Sequence, residues 1–311
     1  MDLDPSILDR ELQGLETEGG GRVGAAVALG RMTPLWSFRG QETFPLAGIS
    51  KFMIALAVLA KVDRREIHPE QIVTIRRADL APGSSPIAAE FIDESERFTV
   101  RGLLARAVTL NDNTAADALT HLLGGTAAIT AQLRRWGISG IRVDRLEREL
   151  QPSVAGLVGW QPEWAGTEAF ARSTQMLPEQ TRRAALTRYL QDAEDRASPL
   201  AVVKLLTLWS RGLLLSPRGG EVLTELLNES PMNRDGLREG LPAGWKLVHQ
   251  TGTAPDVCGI GPATNAIGVM TSPKGAQLFF AVFIAGSAAP LRQRQEAIAR
   301  IGRTGRAALG G

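Results

Sequence analysis

The sequence predicts an α/β protein whose sheet is built from both ends of the chain and which carries an all-helical insertion. Short β-type runs lie near the start, at 23–29 and 34–38, and strands return in the last third of the chain. Between these two regions the apolar residues recur with helical spacing. This order favours an α/β subdomain formed by 1–45 together with 229–311, and a helical subdomain formed by 46–228.

The individual elements are predicted from apolar periodicity. A helix over 50–62 has apolar residues at nearly every position, which is typical of a helix buried on all sides. The other predicted helices carry an apolar stripe and lie at about 5–16, 99–110, 113–123, 127–136, 200–213 and 292–307. The late strands are predicted at 245–251, 266–270 and 278–284.

The composition excludes several classes of protein. With 44% hydrophobic and 22% charged residues, the 311-residue chain has the balance of a globular protein and not of a disordered or fibrous one. The net charge is +2 and the arginines are scattered, which argues against nucleic acid as a partner. No apolar run reaches about 18 residues, so no membrane span is predicted. The single cysteine, Cys258, cannot form an internal disulfide.

The first residues show no export signal. The stretch Met1-Asp2-Leu3-Asp4-Pro5 is acidic, and no basic n-region or apolar h-region accompanies it. We therefore expect a cytoplasmic protein, or a periplasmic or secreted one if a leader had been removed.

Four short patterns follow one another along the chain. Gly48-Ile49-Ser50-Lys51 stands at the start of the buried helix, Asn111-Asp112-Asn113 separates two helices, 142–151 precedes a long segment, and 249–253 lies on a predicted strand. Their order and spacing resemble those of class A serine β-lactamases and penicillin-binding proteins, with their S-x-x-K, S-D-N, omega-loop and K-T-G motifs. The resemblance runs from about residue 5 to residue 307. It implies a β-lactamase/transpeptidase-like fold, with an antiparallel five-stranded sheet flanked by helices, and a monomer.

Three catalytic groups of the resembled family are missing. Gly48 stands at the position of the nucleophilic serine, Asn111 at the position of the S-D-N serine, and Gln250 at the position of the K-T-G lysine. A serine hydroxyl attacks only when a neighbouring base takes its proton, and hydrolases that lose such a group keep only residual catalysis. We therefore expect a protein deficient in β-lactam hydrolysis.

Other groups of the family pattern are retained. Lys51 matches the S-x-x-K lysine and Glu147 falls on the deacylating glutamate of the omega loop, so the resemblance makes these two the candidate catalytic residues. A buried ion pair without catalytic function would explain the same two residues equally well. Arg145 and Asp195 resemble the pair that holds the omega loop, here about 142–196.

The resemblance also implies a ligand site. Its candidate binding residues are Asn111, Asn113, Gln250, Thr251, Gly252 and Thr253, although Asn113 would as readily brace the backbone of its loop. The ligand would be a small molecule, either a β-lactam or a peptide or cell-wall fragment. No cofactor and no metal are implied, because His68, His121 and His249 lack the spacing of metal ligands.

Three alternatives remain open from the sequence. Ser50 neighbours Lys51, but it lies roughly 200° around the helix from Gly48, so we expect it to point away from the cleft. Gly48 would leave room for a water molecule, which Lys51 or Glu147 could activate for slow, non-covalent hydrolysis of an ester, amide or β-lactam. In the third alternative the cleft is closed and the protein is a non-enzymatic binding or regulatory protein.

The segment 150–192 is unusually long for an omega loop. Its sequence predicts about thirty residues without regular structure, followed by a short helix over 179–191. Trp160 and Trp164 lie in this insertion, close in sequence to Glu147. We expect the insertion to cover, reshape or fill the mouth of the cleft.

Overall fold

The structure is a computed structural model that describes residues 5–30, 34–231, 236–239 and 241–307. Residues 1–4 and 308–311, at the outer limits of the predicted α/β subdomain, lie outside the described residues. The strands are β1 (Arg22–Leu29), β2 (Pro34–Phe38), β3 (Phe44–Pro45), β4 (Ile72–Arg76), β5 (Ser95–Thr99), β6 (Arg196–Ala197), β7 (Lys246–Thr253), β8 (Gly261–Thr271) and β9 (Gln277–Ser287).

The described chain has an α-helix near each end and a series of α-helices between β3 and β7. They are α1 (Pro5–Gly19), α2 (Ser50–Asp63), α3 (Pro86–Glu90), α4 (Val100–Thr109), α5 (Asn113–Leu123), α6 (Thr126–Arg135), α7 (Glu147–Ala155), α8 (Thr167–Gln175), α9 (Glu179–Gln191), α10 (Pro199–Ser210), α11 (Pro217–Glu229), α12 (Gly236–Glu239) and α13 (Leu291–Ala307). In the described part of the chain, none of these helices has the length and apolar character needed to cross a membrane.

The central sheet has five strands in the order β2-β1-β9-β8-β7, and each neighbouring pair is antiparallel. The N-terminal strands β1 and β2 therefore pair with the C-terminal strands through β9. This confirms the predicted fold class, a five-stranded antiparallel sheet built from both termini. The residue limits of the two subdomains stay a prediction.

Strand β9 separates two apolar layers because successive side chains of a strand point to opposite faces of the sheet. Phe279 and Phe283 belong to the larger core, which contains α2 and α10. Phe280 and Val282 belong to the smaller core, which contains residues of α1 and α13. The sheet is thus covered by helices on both faces.

Helix α2 is the buried helix predicted from the sequence. Its residues from Ser50 through Ala60 are all buried, and the edge of Phe52 packs on Trp209 of α10 with ring centroids 5.5 Å apart. A helix held on all sides gives its first turn a fixed position. Lys51 lies in this first turn.

The segment 150–192 is mostly helical, so the prediction of about thirty residues without regular structure was wrong. Helix α7 extends to Ala155 in spite of Pro152 within it, and α8 follows a 3₁₀ turn, Pro162–Trp164. Helix α9 spans the residues predicted for it. Pro152 reads as a helix breaker in sequence, and α8 has no buried residue, so its apolar pattern is too weak to predict a packed helix.

Candidate active site

The predicted site residues lie where several elements begin. Gly48 lies in a 3₁₀ turn, Ala47–Ile49, that leads directly into α2. Asn113 is the first residue of α5, Glu147 is the first residue of α7, and 250–253 form the end of β7. Elements anchored in the core therefore deliver all of these residues to one region.

A buried ion pair lies at the centre of this region. Lys51 Nζ is 3.0 Å from Glu147 Oε1 and donates a second hydrogen bond, 2.9 Å long, to Asn113 Oδ1. The Lys51 side chain is only 1% exposed. Asn113 also donates through Nδ2 to the carbonyl of Pro82 at 2.8 Å. Asn113 thus braces a neighbouring loop and holds the lysine at the same time.

The second oxygen of Glu147 is held from its own helix. Gln151, one turn further along α7, donates from Nε2 to Glu147 Oε2 at 2.8 Å. Lys51 and Gln151 therefore fix both oxygens of the carboxylate. A carboxylate held in this way keeps a defined orientation, which a general base requires.

The Ser50 side chain lies beside this ion pair. Its hydroxyl lies 3.4 Å from Glu147 Oε1, the oxygen that also contacts Lys51.

A small cavity lies beside Ser50 and Glu147. Its volume is about 10 Å³, enough for about one water molecule. It is lined by residues of α2, α5, α7 and the omega loop, namely Leu46, Ala47, Ser50, Ile54, Asp117, Thr120, Val143, Arg145, Glu147, Leu150 and Asp195. Trp160 and Trp164 do not line it. Both tryptophans are half-buried elsewhere in the insertion.

Asp117 anchors the beginning of α7. Its two oxygens accept the backbone N–H groups of Glu147 at 2.7 Å and of Arg148 at 3.0 Å, which a helix start leaves without internal partners. Burial, and then the nearby charge of Glu147, raise the pKa of Asp117 to about 7. Asp117 is thus a buried carboxyl group that titrates near neutral pH.

The sequence reasoning missed Asp117 and assigned no role to Gln151. A signal for both was present, because Asp117 follows Asn113 by four residues and Gln151 follows Glu147 by four. Residues four apart lie on the same face of a helix. Each residue therefore extends the site by one helical turn.

The position of the missing nucleophile is closed. A Cβ atom added at Gly48 would lie 2.9 Å from Asn111 Oδ1 and 3.3 Å from the Cα of Gly252. The Asn111 carboxamide and β7 therefore lie against Gly48. Asn111 has a φ of 55°, a left-handed conformation that asparagine tolerates, and its Oδ1 is buried without a hydrogen-bond partner.

The predicted binding residues on β7 are mostly turned inwards. Gln250 is 1% exposed and donates from Nε2 to the carbonyl of Thr251 at 3.3 Å. Its Oε1 is buried and has no partner among the described residues. Gly252 is buried against Gly48, Thr251 is half-buried, and only Thr253 is exposed. The strand therefore presents little polar surface to a ligand in this arrangement.

Arg145 and Asp195 form the pair expected for the omega loop. Arg145 Nε lies 2.6 Å from Asp195 Oδ2, and Asp192 lies 2.9 Å from the same guanidinium. Asp195 Oδ1 also accepts the backbone N–H groups of Asp144 at 2.8 Å and Arg145 at 3.1 Å. Burial raises the pKa of Asp195, and these hydrogen bonds oppose that effect. Within the described ranges, no group of three or more His, Cys, Asp or Glu residues is arranged to hold a metal ion.

The close approach of β7 to Gly48 can be tested with Gly252→Ala. The added Cβ would lie 2.9 Å from the backbone nitrogens of both Gly48 and Ile49, so the strand or the turn must move. We expect a loss of about 2 kcal/mol in unfolding free energy, measured by urea denaturation. Gly220→Ala, within α11 at a position where the added Cβ meets no other atom within 4 Å, is the control and should be neutral or stabilising. Equal stability of the two variants would contradict the described packing.

Comparisons with known proteins identify the family and the fold. A model of the β-lactamase enzyme family matches residues 7–309. A β-lactamase of Citrobacter koseri is 28% identical over 268 residues, which are 85% of this chain and 78% of the relative. The structure of an ancestral class A β-lactamase is 30% identical, with a TM-score of 0.73 over 97% of this chain and 99% of that one. A β-lactamase structure from Xanthomonas campestris has a TM-score of 0.76 over 98% of each chain at 23% identity, which supports the fold. The chain therefore belongs to the β-lactamase enzyme family and has the class A fold.

Proposed function

We propose that this class A β-lactamase homologue is deficient in β-lactam hydrolysis because it cannot form the acyl-enzyme. The observation that carries the proposal is the closed nucleophile position, where the Asn111 carboxamide and the Gly252 backbone lie against Gly48. Gly48 offers no hydroxyl to attack a substrate carbonyl, and a side chain at this position would meet the Asn111 carboxamide. The proposal concerns acylation, the first half of the family reaction.

The residues that the resemblance assigns to deacylation, the second half of that reaction, contact one another. Glu147 is held by Lys51 and Gln151, and Asn113 completes the set around Lys51. This arrangement orients a carboxylate but supplies no nucleophile to it. We infer that the site is retained in its deacylation half and lost in its acylation half, with a β-lactam or cell-wall fragment as the class of ligand.

The proposal is tested by incubating the chain with nitrocefin and with a fluorescent penicillin, beside an active class A enzyme. We expect nitrocefin turnover at least about 10³-fold below that of the active enzyme, because a lost nucleophile leaves only residual catalysis. We also expect no protein-bound fluorescence. Robust turnover, or a stable adduct on any serine including Ser50, would contradict the proposal.

A second candidate function is slow hydrolysis by a water molecule without a covalent intermediate. The cavity of about 10 Å³ beside Ser50 and Glu147 favours it, because this volume accepts about one water molecule next to a buried carboxylate. The test is the hydrolysis of p-nitrophenyl acetate by the parent and by Glu147→Ala, with circular dichroism to verify folding. The candidate predicts that the rate disappears in the variant; an unchanged rate in a folded variant rules it out.

A non-catalytic binding or regulatory protein with a closed cleft is the remaining alternative. The burial of Gln250 and the contact between Asn111 and Gly48 support it as well as they support a deficient enzyme. Unlike a deficient enzyme that keeps its ligand site, a protein with a closed cleft should not bind a penicillin. Equilibrium dialysis with labelled penicillin separates the two, since a retained ligand site gives saturable binding without turnover.

A further inference from the structure

We propose that the segment 156–178, here called the strap, holds the 81–83 loop over the Lys51–Glu147 pair and controls access to that pair. The proposal rests on two layers of contacts that lie one above the other. It concerns solvent and ligand access and does not depend on whether a β-lactam is hydrolysed.

The inner layer joins the buried pair to the 81–83 loop. Asn113 accepts a hydrogen bond from Lys51 Nζ and donates one, 2.8 Å long, to the carbonyl of Pro82. A Cβ added at Gly83 would lie 3.3 Å from Asn113 Nδ2 and 3.6 Å from Gln151 Oε1. The loop therefore lies directly on the two side chains that contact Lys51 and Glu147.

The outer layer joins the same loop to the strap. The Gly166 N–H donates to the carbonyl of Ala81 at 3.1 Å, and the Gly83 N–H donates to the carbonyl of Gly166 at 3.2 Å. The Thr167 hydroxyl adds a third hydrogen bond, 2.8 Å long, to the carbonyl of Gly83. Pro82 is buried beneath this contact, whereas Thr167 is exposed. The strap thus covers the loop from the solvent side.

The strap itself is loosely attached. Gly156 ends α7 with a φ of 90° and precedes the contact, and its conformational freedom provides a hinge. Helix α8 buries none of its residues, and the strap leaves Val158 and Met176 almost fully exposed. The indole N–H of Trp160 is buried without a partner, which makes the closed arrangement less favourable. Apart from its three hydrogen bonds to the loop, the strap is held mainly by limited apolar packing, including that of Ala165 on the larger core.

The test compares Thr167→Val with Thr174→Val. The first removes a hydrogen bond between the strap and the loop, whereas the second removes only a hydrogen bond within α8, from Thr174 to the carbonyl of Phe170. Opening should become about fivefold more frequent in Thr167→Val, the effect expected for one hydrogen bond. The readout is amide hydrogen exchange at Gly83 and Gly166, which should accelerate by the same factor.

A second readout reports access to the buried pair itself. Acetic anhydride should acetylate Lys51 about fivefold faster in Thr167→Val than in Thr174→Val, as measured by peptide mass spectrometry. The exposed Lys246 should react at the same rate in both variants. Equal exchange at Gly83 and equal acetylation of Lys51 in the two variants would overturn the proposal. Because no β-lactam is involved, these outcomes are independent of the nitrocefin experiment.

A second pair of variants tests the backbone hydrogen bonds between the strap and the loop. Gly166→Ala and Gly159→Ala both place alanine at a left-handed φ, with no atom closer than 3.9 Å to the new Cβ. Only Gly166 takes part in the hydrogen bonds to the loop. We expect Gly166→Ala to accelerate exchange at Gly83 and Gly159→Ala to leave it within about twofold of the parent. Equal acceleration by both variants would show that the strap does not act through this contact.

Discussion

The triple variant Gly48→Ser, Asn111→Ser and Gln250→Lys should hydrolyse nitrocefin with kcat/KM at least about 10³-fold above that of the parent. The three changes return the nucleophile, the missing hydroxyl and the missing cation to positions fixed by α2, the turn before α5, and β7. Lys51 and Glu147 already lie in the required pairing, 3.0 Å apart. The measurement is the absorbance change of nitrocefin under steady-state conditions.

The single variant Gly48→Ser should gain no activity. Its Cβ would meet the Asn111 carboxamide at 2.9 Å, so the new side chain competes with Asn111 for the same space. Asn111→Ser shortens that neighbour and removes the contact. Gain of activity therefore requires both changes, and a nonadditive effect of this kind is expected for groups in direct contact.

A fourth change identifies the retained half of the reaction. In the triple variant, Glu147→Gln should slow hydrolysis of the acyl-enzyme, so intact-protein mass spectrometry should show one penicillin bound to the serine introduced at position 48. A triple variant that folds and binds penicillin but forms no acyl-enzyme would contradict our assignment of the defect to the three substituted groups. A parent chain as active as the triple variant would contradict it more directly.

The sequence was sufficient for the fold because the fold depends on local patterns in a fixed order. The continuous apolar run of α2 and the late strands are readable from periodicity alone. The register of the site was readable for a similar reason: Lys51, Asn113 and Glu147 each stand in or before the first turn of a helix. The starts of α2 and α5 were predicted to within one or two residues, whereas no helix was predicted at Glu147, which was placed by the family resemblance alone.

The contacts at Gly48 were not readable, because they join residues far apart in the chain. Asn111, which has a left-handed backbone, and Gly252 of β7 both lie against Gly48. The strap is a similar case. Its helix α8 is short and buries no residue, and its attachment at Gly166 uses backbone groups that every sequence possesses. Side-chain patterns carry no information about such hydrogen bonds.

Asp117 should make the stability of the parent fall as the pH rises from about 4 to about 7. Its pKa is raised to about 7 in the folded chain, chiefly by burial and then by Glu147, whereas an unfolded aspartate titrates near 4. Between these values the folded chain binds more protons than the unfolded chain. The contribution is therefore complete at low pH and lost as the pH passes 7, and it amounts to at most about 4 kcal/mol, or about 1.4 kcal/mol for each pH unit.

Asp117→Asn should remove this dependence. The asparagine oxygen can accept only one of the two backbone N–H groups at the start of α7, so the anchor is weakened to the same extent at every pH while the titration disappears. Urea unfolding at pH 5, 6, 7 and 8 gives the two stability curves, and their difference isolates Asp117 from the other titrating groups. The unfolding free energy of the variant relative to that of the parent should rise with each step up to pH 7 and change little from pH 7 to pH 8.

The surface variant Asp93→Asn is the control and should follow the parent at every pH. Asp117 lies close to Glu147 and Lys51, so its ionisation above pH 7 adds a second negative charge to a cluster that contains one ammonium group. Burial of the ionised carboxylate is the main physical cause of the predicted loss, and this excess charge adds to it. Parallel stability curves for Asp117→Asn and the parent would show that Asp117 is already ionised across this range, and that Lys51 and the start of α7 together compensate both carboxylates.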